Sequence, residues 1–448
     1  MPKKGAAGDW ICLSLTDFVI IFFISLVLLG AYIKFEKARN LLIACLVSLL
    51  IVDIYFINEN FSLLKYIANQ YNASDFIEKE YVDPKDTNIS FPAKKQNLIF
   101  IQVESLEASM QDIANGGLSE VNYIPELTNL AKENINFSAF EFVGGAIVLP
   151  ETGWTMGALI AETAGIPLKS YRIHKAFDQV GNTFHEYDAF LTKVTTLGDI
   201  LKSSGYKNYF ILGSSKYFAG QNVYMENHGK YEIYDYEFIK DNMGFEKPAE
   251  NWWGLLDEDV YSFSKIKLSE ISKKTEPFSV VIQTVDTHRY GFLNPKCDSK
   301  HDELIKNVYS CVSSKLNEFV SWVKQQDFYR NTTVVIVGDH CNMSRGLFKT
   351  NVNLNTGLYE GTQRTVYNTF INSRTKPKQE KNRLFSTMDI FPTILSALGV
   401  KIEGDRLGLG TDLFSEEKTL LEKYGYDYMS QELRKKSNFY NHKLLFPN

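Results

Sequence analysis

Residues 97–105, "NLIFIQVES", decide the fold. The run is apolar except for Gln102, too short for an independent helix, and stops abruptly on a carboxylate, Glu104. Such a segment reads as a strand covered on both faces, with a polar residue delivered at its end. The same pattern returns in "YFILGSSK" (209–216), "VVIQTVDTH" (280–288) and "VVIVGDH" (334–340). Between these runs lie helical patterns: "IPELTNLAKE" (124–133), "TGWTMGALIAETA" (152–164), "TTLGDILKSSG" (195–205), "DELIKNVYSCVSSKLNEFVSWVKQQ" (302–326) and "TMDIFPTILSALG" (387–399). "NINFSAFEFV" (134–143) reads as a further strand. The alternation predicts an α/β domain, with a mainly parallel sheet sandwiched by helices.

The chain has 448 residues, 44% of them hydrophobic, which suits a sizeable folded core. A formal net charge of −5 and the lack of a basic block set nucleic-acid partners aside. The N-terminus differs from the rest. "ICLSLTDFVIIFFISLVLLGAYI" (11–33) is long enough to span a bilayer, which takes roughly 20 apolar residues. "LLIACLVSLLIVDIYFI" (41–57) is shorter and carries Asp53; we read it as a second span. Lys34, Lys37 and Arg39 between them place the short loop in the cytoplasm and both ends outside. The expected organisation is a membrane anchor (1–57), an interfacial helix and linker (58–90), a catalytic domain (91–425) and a C-terminal extension (426–448). Cys297 and Cys311 could close a disulfide loop worth roughly 3 kcal/mol, which supports an oxidising, extracytoplasmic setting. The competing reading is a set of unrelated thiols.

Ligands of open α/β sheets bind beyond the carboxyl ends of the strands. Those ends carry Glu104, the segment Gly213 to Lys216, Asp286 with His288, and Asp339 with His340. Carboxylates and imidazole suit Mn²⁺, Zn²⁺ or Mg²⁺ better than a thiolate-seeking ion. Thr152 reads as the opening of the helix that follows, where free backbone N–H groups attract phosphate and a nearby dication would activate its hydroxyl. Each residue also has a bland reading: Thr152 or Glu151 as a helix cap, Glu104 as a solvated strand end, Asp339 and His340 as loop residues, His288 as structural. Their joint order along one expected sheet favours a site.

"NLIFIQVES", "ETGWTMGALIAETAGIPL", "TVDTH", "VVIVGDH" and "STMDIFPTILSALG" resemble, in that order, the extracytoplasmic catalytic domain of the sulfatase-like branch of the alkaline phosphatase superfamily. More narrowly, the chain is similar to bacterial membrane phosphoglycerol transferases, both lipoteichoic acid synthases and the enzymes that decorate periplasmic glucans. The glucan type matches further through "FAGQNVYMENHG", "RTVYNTFI", "DRLGLGTDLF" and "TLLEKYG". The resemblance runs from about residue 74 to 425. It implies that Glu104, Thr152, Asp339 and His340 hold a divalent metal, Mn²⁺ before Zn²⁺ or Mg²⁺. Thr152 becomes the nucleophile, Thr155 its support, and His288 a general acid or phosphate hydrogen-bond donor. Where relatives carry a basic residue after the strand ending at Gly213, this chain has Gln221 and Asn222, with Lys216 nearby. Arg345 in "CNMSR" is a candidate for the missing charge, and Trp154 for a substrate contact. The implied reaction moves phosphoglycerol from phosphatidylglycerol in the bilayer, through a covalent threonine adduct, to a glycan or glycolipid hydroxyl on the periplasmic side of the bacterial inner membrane. Phosphoethanolamine transfer is the alternative. Sulfate ester hydrolysis is disfavoured because "TGWT" offers no cysteine or serine. A catalytically silent membrane scaffold is the rival from another class.

Overall fold

The computed structural model describes residues 23–24, 27, 39–61, 63–169, 191–246, 248, 253–344, 347–348 and 364–445. The chain divides into two compact units, Met1–Ala73 and Ser74–Asn448. In the first, α1 (Arg39–Phe61) takes up the apolar run at 41–57 and is followed by α2 (Leu63–Tyr71). Ile43, Val47, Leu50, Ile51, Ile54 and Tyr55 of α1 are exposed. Among the described residues no helix is long and apolar enough to cross a membrane. The expected span at 41–57 is thus seen as a helix only, and most of the one at 11–33 lies outside the described residues.

The second unit starts inside the stretch read as a linker. Phe76 and Ile77 are buried in its core, and Ile89–Ser90 pairs antiparallel with Lys401–Ile402. At the other end Met429, Leu433, Tyr440, Leu444 and Leu445, from the expected C-terminal extension, join the same core.

The sheet is built from β1 (Asn97–Val103), β2 (Gly145–Ile147), β3 (Lys207–Leu212), β4 (Glu232–Tyr234), β5 (Phe278–Gln283), β6 (Thr332–Gly338) and β7 (Thr365–Ile371). Its order is β2-β7-β6-β1-β5-β3-β4. β6, β1, β5, β3 and β4 run parallel to their neighbours, while β7 is antiparallel to both β6 and β2, so the sheet is mixed with a parallel centre. Successive side chains point to opposite faces of a strand. Leu98 and Phe100 therefore enter one core, and Ile99, Ile101 and Val103 the other. The first core is covered by α4 (Thr155–Ala164), α5 (Leu197–Ser203) and α8 (Ile390–Ala397). The second is covered by α3 (Pro125–Glu133), α6 (Asp257–Ile271) and α7 (Leu304–Lys324).

The strand expected at 134–143 does not form; Ile135 alone bridges Phe370. The Asn136 side chain instead bonds Gly144 at both N–H (3.1 Å) and carbonyl (3.0 Å), and reaches Asn368 O at 2.7 Å. Such side-chain bonds to backbone compete with a ladder. Pairing resumes at Gly145.

Candidate metal centre

β1 and β6 lie side by side, in register through Val103 and Gly338, so the residues after them leave the sheet together. Glycine at 338 is required by packing, because a Cβ there would stand 1.8 Å from Leu106 O. That close approach brings Asp339 and His340 against the Glu104 loop, where Asp339 N donates to Val103 O. Ser105 turns the chain at φ 50°, and Tyr309 Oη donates to its carbonyl at 2.6 Å. Strained backbone of this kind concentrates at functional sites. Glu151, Ala219 and Tyr290, in the other loops at this end of the sheet, also have positive φ.

Glu104, Asp339 and His340 are buried, and one ligand atom from each lies within 4.8 Å of the other two. His340 Nε2 is 3.3 Å from Glu104 Oε1 and 3.5 Å from Asp339 Oδ2. Asp339 Oδ1 accepts from Ser105 N (2.7 Å) and His340 N (2.6 Å), which leaves Oδ2 buried without a hydrogen bond. His340 Nδ1 donates to Cys341 O at 3.0 Å, so its Nε2 is the nitrogen turned to the cluster, and it too has no aligned hydrogen bond. Second contacts of this sort orient metal-ligating histidines. Two carboxylate groups and an imidazole, with Asp339 Oδ2 and His340 Nε2 lacking hydrogen bonds, fit a hard or borderline dication. Burial pushes Glu104 up, but the facing His340 outweighs it and holds the carboxyl down at about 2. Burial likewise pushes His340 down, yet Asp339 and Glu104 raise it to about 10. Burial, reinforced by Glu104, drives Asp339 well above the carboxylate range. The proton on the imidazole stands where a cation would otherwise balance the carboxylates.

The hydroxyl hydrogen-bonded to this cluster is that of Thr155, not that of Thr152. Thr155 Oγ1 donates to Glu104 Oε2 at 3.2 Å. Thr152 does not open the helix: its Oγ1 donates to Leu149 O (2.9 Å) and accepts from Leu149 N (3.1 Å), closing a tight turn. Glu151, at φ 67°, redirects the chain, and α4 begins at Thr155 with an extended Trp154 as N-cap. Trp154 is half-buried, and a Cβ on Gly157 would stand 2.7 Å from its indole nitrogen.

His288 follows β5, is partly buried, and lies under Trp253 at a ring-centroid distance of 3.9 Å. Its Nδ1 is buried without a hydrogen bond. Burial lowers its pKa against the pull of Glu104, favouring the neutral imidazole. Lys216 and Asn222 are joined through Asn222 N to Lys216 O at 2.9 Å. Gln221 is fully buried, with neither amide atom hydrogen-bonded. Arg345 lies outside the described residues. Cys297 and Cys311 form a disulfide. Sequence reasoning missed Glu107, Arg364, Glu162 and Trp253. Glu107 is fully buried and paired with Arg364. Glu162 on α4 accepts from Gln102 Nε2 at 2.7 Å. The signal for Glu107 was available, since "ESLE" places a second carboxylate three residues beyond Glu104.

Comparison with known proteins matches the Sulfatase family over residues 96–400. Phosphoglycerol transferase I of Escherichia fergusonii is 31% identical over 345 residues, covering 75% of this chain and 41% of the relative. Its counterpart from Salmonella typhi is 32% identical over 345 residues, with the same coverage. The chain thus spans about two fifths of the length of these relatives. Among solved structures, a protein in the alkaline phosphatase superfamily from Vibrio parahaemolyticus aligns with TM-score 0.57 and 20% identity, covering 77% of this chain and 78% of that one. The lipoteichoic acid synthase LtaP from Listeria monocytogenes aligns with TM-score 0.55 and 19% identity, covering 77% and 82%. These two likenesses concern the fold, an α/β sandwich of the alkaline phosphatase type.

Proposed function

The chain belongs to the sulfatase family, and from that premise we propose that it is a membrane-anchored, metal-dependent transferase that moves phosphoglycerol from phosphatidylglycerol to a hydroxyl of an extracytoplasmic glycan or glycolipid. The observation that carries the reading is the Thr155 hydroxyl, in the first turn of α4, hydrogen-bonded to a carboxylate of a buried two-oxygen, one-nitrogen donor set. Glu104, Asp339 and His340 would hold the metal, and their oxygen and nitrogen donors suit Mn²⁺, Zn²⁺ or Mg²⁺. When bound, it supplies Lewis acidity that lowers the pKa of a neighbouring hydroxyl and stabilises charge on phosphoryl oxygens.

Thr155 Oγ1 attacks phosphorus in line, and the bond from phosphorus to the diacylglycerol oxygen breaks. His288, neutral through burial, takes up the threonine proton and passes it to the departing oxygen. The acceptor hydroxyl then attacks the phosphoglyceryl-threonine, its proton returns through the same imidazole, and Thr155 is restored. The exposed apolar side chains of α1 and the run at 11–33 support an anchor in the bilayer that holds the donor, raising its effective concentration. The disulfide supports an oxidising side of the membrane.

The test is peptide mass spectrometry of the Mn²⁺-loaded full chain after incubation with phosphatidylglycerol or phosphatidylethanolamine. A glycerophosphoryl adduct on Thr155 is expected. An ethanolamine-phosphate adduct would reassign the donor, and absence of both would refute the covalent mechanism.

A further inference from the structure

Glu107 is a fully buried carboxylate one turn of chain beyond Glu104, and it is not free. Arg364, the residue before β7, forks onto it: Nε donates to Oε2 at 2.9 Å and Nη2 to Oε1. The same pair grips Asn342, two residues after His340. Asn342 N donates to Glu107 Oε1 at 2.7 Å, and Arg364 Nη2 donates to Asn342 O at 2.7 Å. The Asn342 amide reaches onward, donating to Thr287 O and to Tyr309 Oη, both at 3.3 Å. Tyr309 Oη donates to Ser105 O, and Thr287 Oγ1 donates to Glu104 O. One network thereby ties the loops after β1, β5 and β6 together, and those loops carry Glu104, His288, Asp339 and His340.

A buried ion pair is by itself weak grounds for a role, since it often adds little net stability. What separates this one from a plain structural pair is its attachment. It holds the N–H and the carbonyl of a residue in the ligand-bearing loop, and the planar fork sets Nε and Nη2 so that both Glu107 oxygens and the Asn342 carbonyl are met together. Lysine would keep the charge and lose the fork.

We infer that Glu107 and Arg364 are positioning residues, a clamp that sets Asp339 and His340 against Glu104, so that metal affinity and turnover depend on the arginine fork rather than on its charge. The inference rests on the reading of Glu104, Asp339 and His340 as metal ligands.

The test uses the metal-stripped full chain with Mn²⁺ as the probe, titrated by calorimetry or by the electron paramagnetic resonance of the free ion, with no lipid present. Turnover is measured separately. Arg364→Lys is expected to weaken Mn²⁺ binding roughly tenfold to hundredfold, the range for residues that orient ligands. At saturating Mn²⁺ it should lower kcat and leave KM for the phospholipid unchanged. Glu107→Gln should weaken Mn²⁺ binding in the same sense, and combining the two should add little, because both break one clamp. Arg364→Lys with wild-type Mn²⁺ affinity and kcat would overturn the inference. So would a rise in KM alone, which would make Arg364 a substrate contact, or fully additive losses in the double variant. Should Arg364→Lys fail to fold by near-ultraviolet circular dichroism, Glu107→Gln carries the same readout, since its amide oxygen can still accept from Asn342 N. A chain that shows the expected Mn²⁺ dependence yet transfers no phosphoglycerol would refute the proposed function and leave the clamp standing.

Discussion

Substituting the two threonines of "ETGWT" separates stability from chemistry. Thr152→Ala removes two hydrogen bonds to Leu149 at a position with no solvent exposure, 2.9 Å to its carbonyl and 3.1 Å from its N–H. Thr152 N still donates to Leu149 O at 3.1 Å, so only the Leu149 N–H is left unsatisfied in the core, at a cost of about 1–3 kcal/mol. Thr155→Ala removes one bond, 3.2 Å to Glu104, whose carboxylate keeps Ser105 (2.9 Å) and His340 (3.3 Å) as partners. Both of those partners sit on Oε1, so Oε2 is left without one, and the loss is of the same order, about 1–3 kcal/mol. Activity should tell the two variants apart. Thr155→Ala should abolish the headgroup adduct, while Thr152→Ala, once folded and Mn²⁺-loaded, should still acquire it on Thr155. Urea unfolding gives the first quantity and intact mass after a phosphatidylglycerol chase gives the second. A folded Thr152→Ala that forms no adduct, beside a Thr155→Ala that forms one, would return the nucleophile to Thr152 and refute the geometric argument.

Three further expectations concern other parts of the molecule. Replacing Cys297 and Cys311, 14 residues apart in sequence, by alanine should cost about 3 kcal/mol in urea unfolding, and a loss near zero would remove the disulfide from the stability of the His288 side of the site. In the metal-free protein His340 is raised to about 10, so its contribution to stability is fully present below its ordinary value of 6.5 and is lost as pH rises through 10. Ligation at Nε2 must then expel that proton near pH 7. Mn²⁺ affinity should rise with pH, and calorimetry in buffers of different ionisation enthalpy should register the released proton; binding without release would contradict the raised imidazole. Burial first, and Asp339 second, push Glu162 well above its ordinary value of 4.5, so wild-type stability should decline as pH climbs beyond that value. Glu162→Gln mimics the neutral form and should flatten this decline, being at least as stable as wild type at pH 8; a loss above about 1 kcal/mol there would mean the carboxylate itself is needed.

The central sheet was legible because β1, β3, β5 and β6 are covered on both faces, which forces a continuous apolar run, and the polar residue that ends each run is conspicuous. Glu104, Asp339, His340 and His288 were readable for that reason. β7 was harder. Its buried Asn368 finds its partner far off in sequence, Nδ2 donating to Phe137 O at 2.8 Å, while the buried Thr369 donates from Oγ1 to Tyr367 Oη at 2.8 Å within the same strand. The start of α4 was misplaced because Glu151 and Thr152 both satisfy capping rules, whereas a positive φ at Glu151 and a local turn to Leu149 decide the matter. Arg364 was invisible as a site residue because its importance lies wholly in a carboxylate 257 residues away.

The charge balance of the centre explains why these pieces belong together. Among the carboxyl groups almost fully buried at this end of the sheet are Glu104, Glu107, Glu162 and Asp339; Asp257 and Asp286, beside β5, are buried too and are pushed up by burial. Glu107 is neutralised by the Arg364 fork, and Glu162 by the proton that burial makes it keep. Glu104 faces the imidazolium of His340, and Asp339 keeps the proton that burial and Glu104 make it hold. A dication that displaces both protons would balance the two carboxylates and leave the centre close to neutral, able to accept an anionic phosphodiester. Arg364, just ahead of β7, neutralises Glu107 and holds the ligand loop with the same guanidinium.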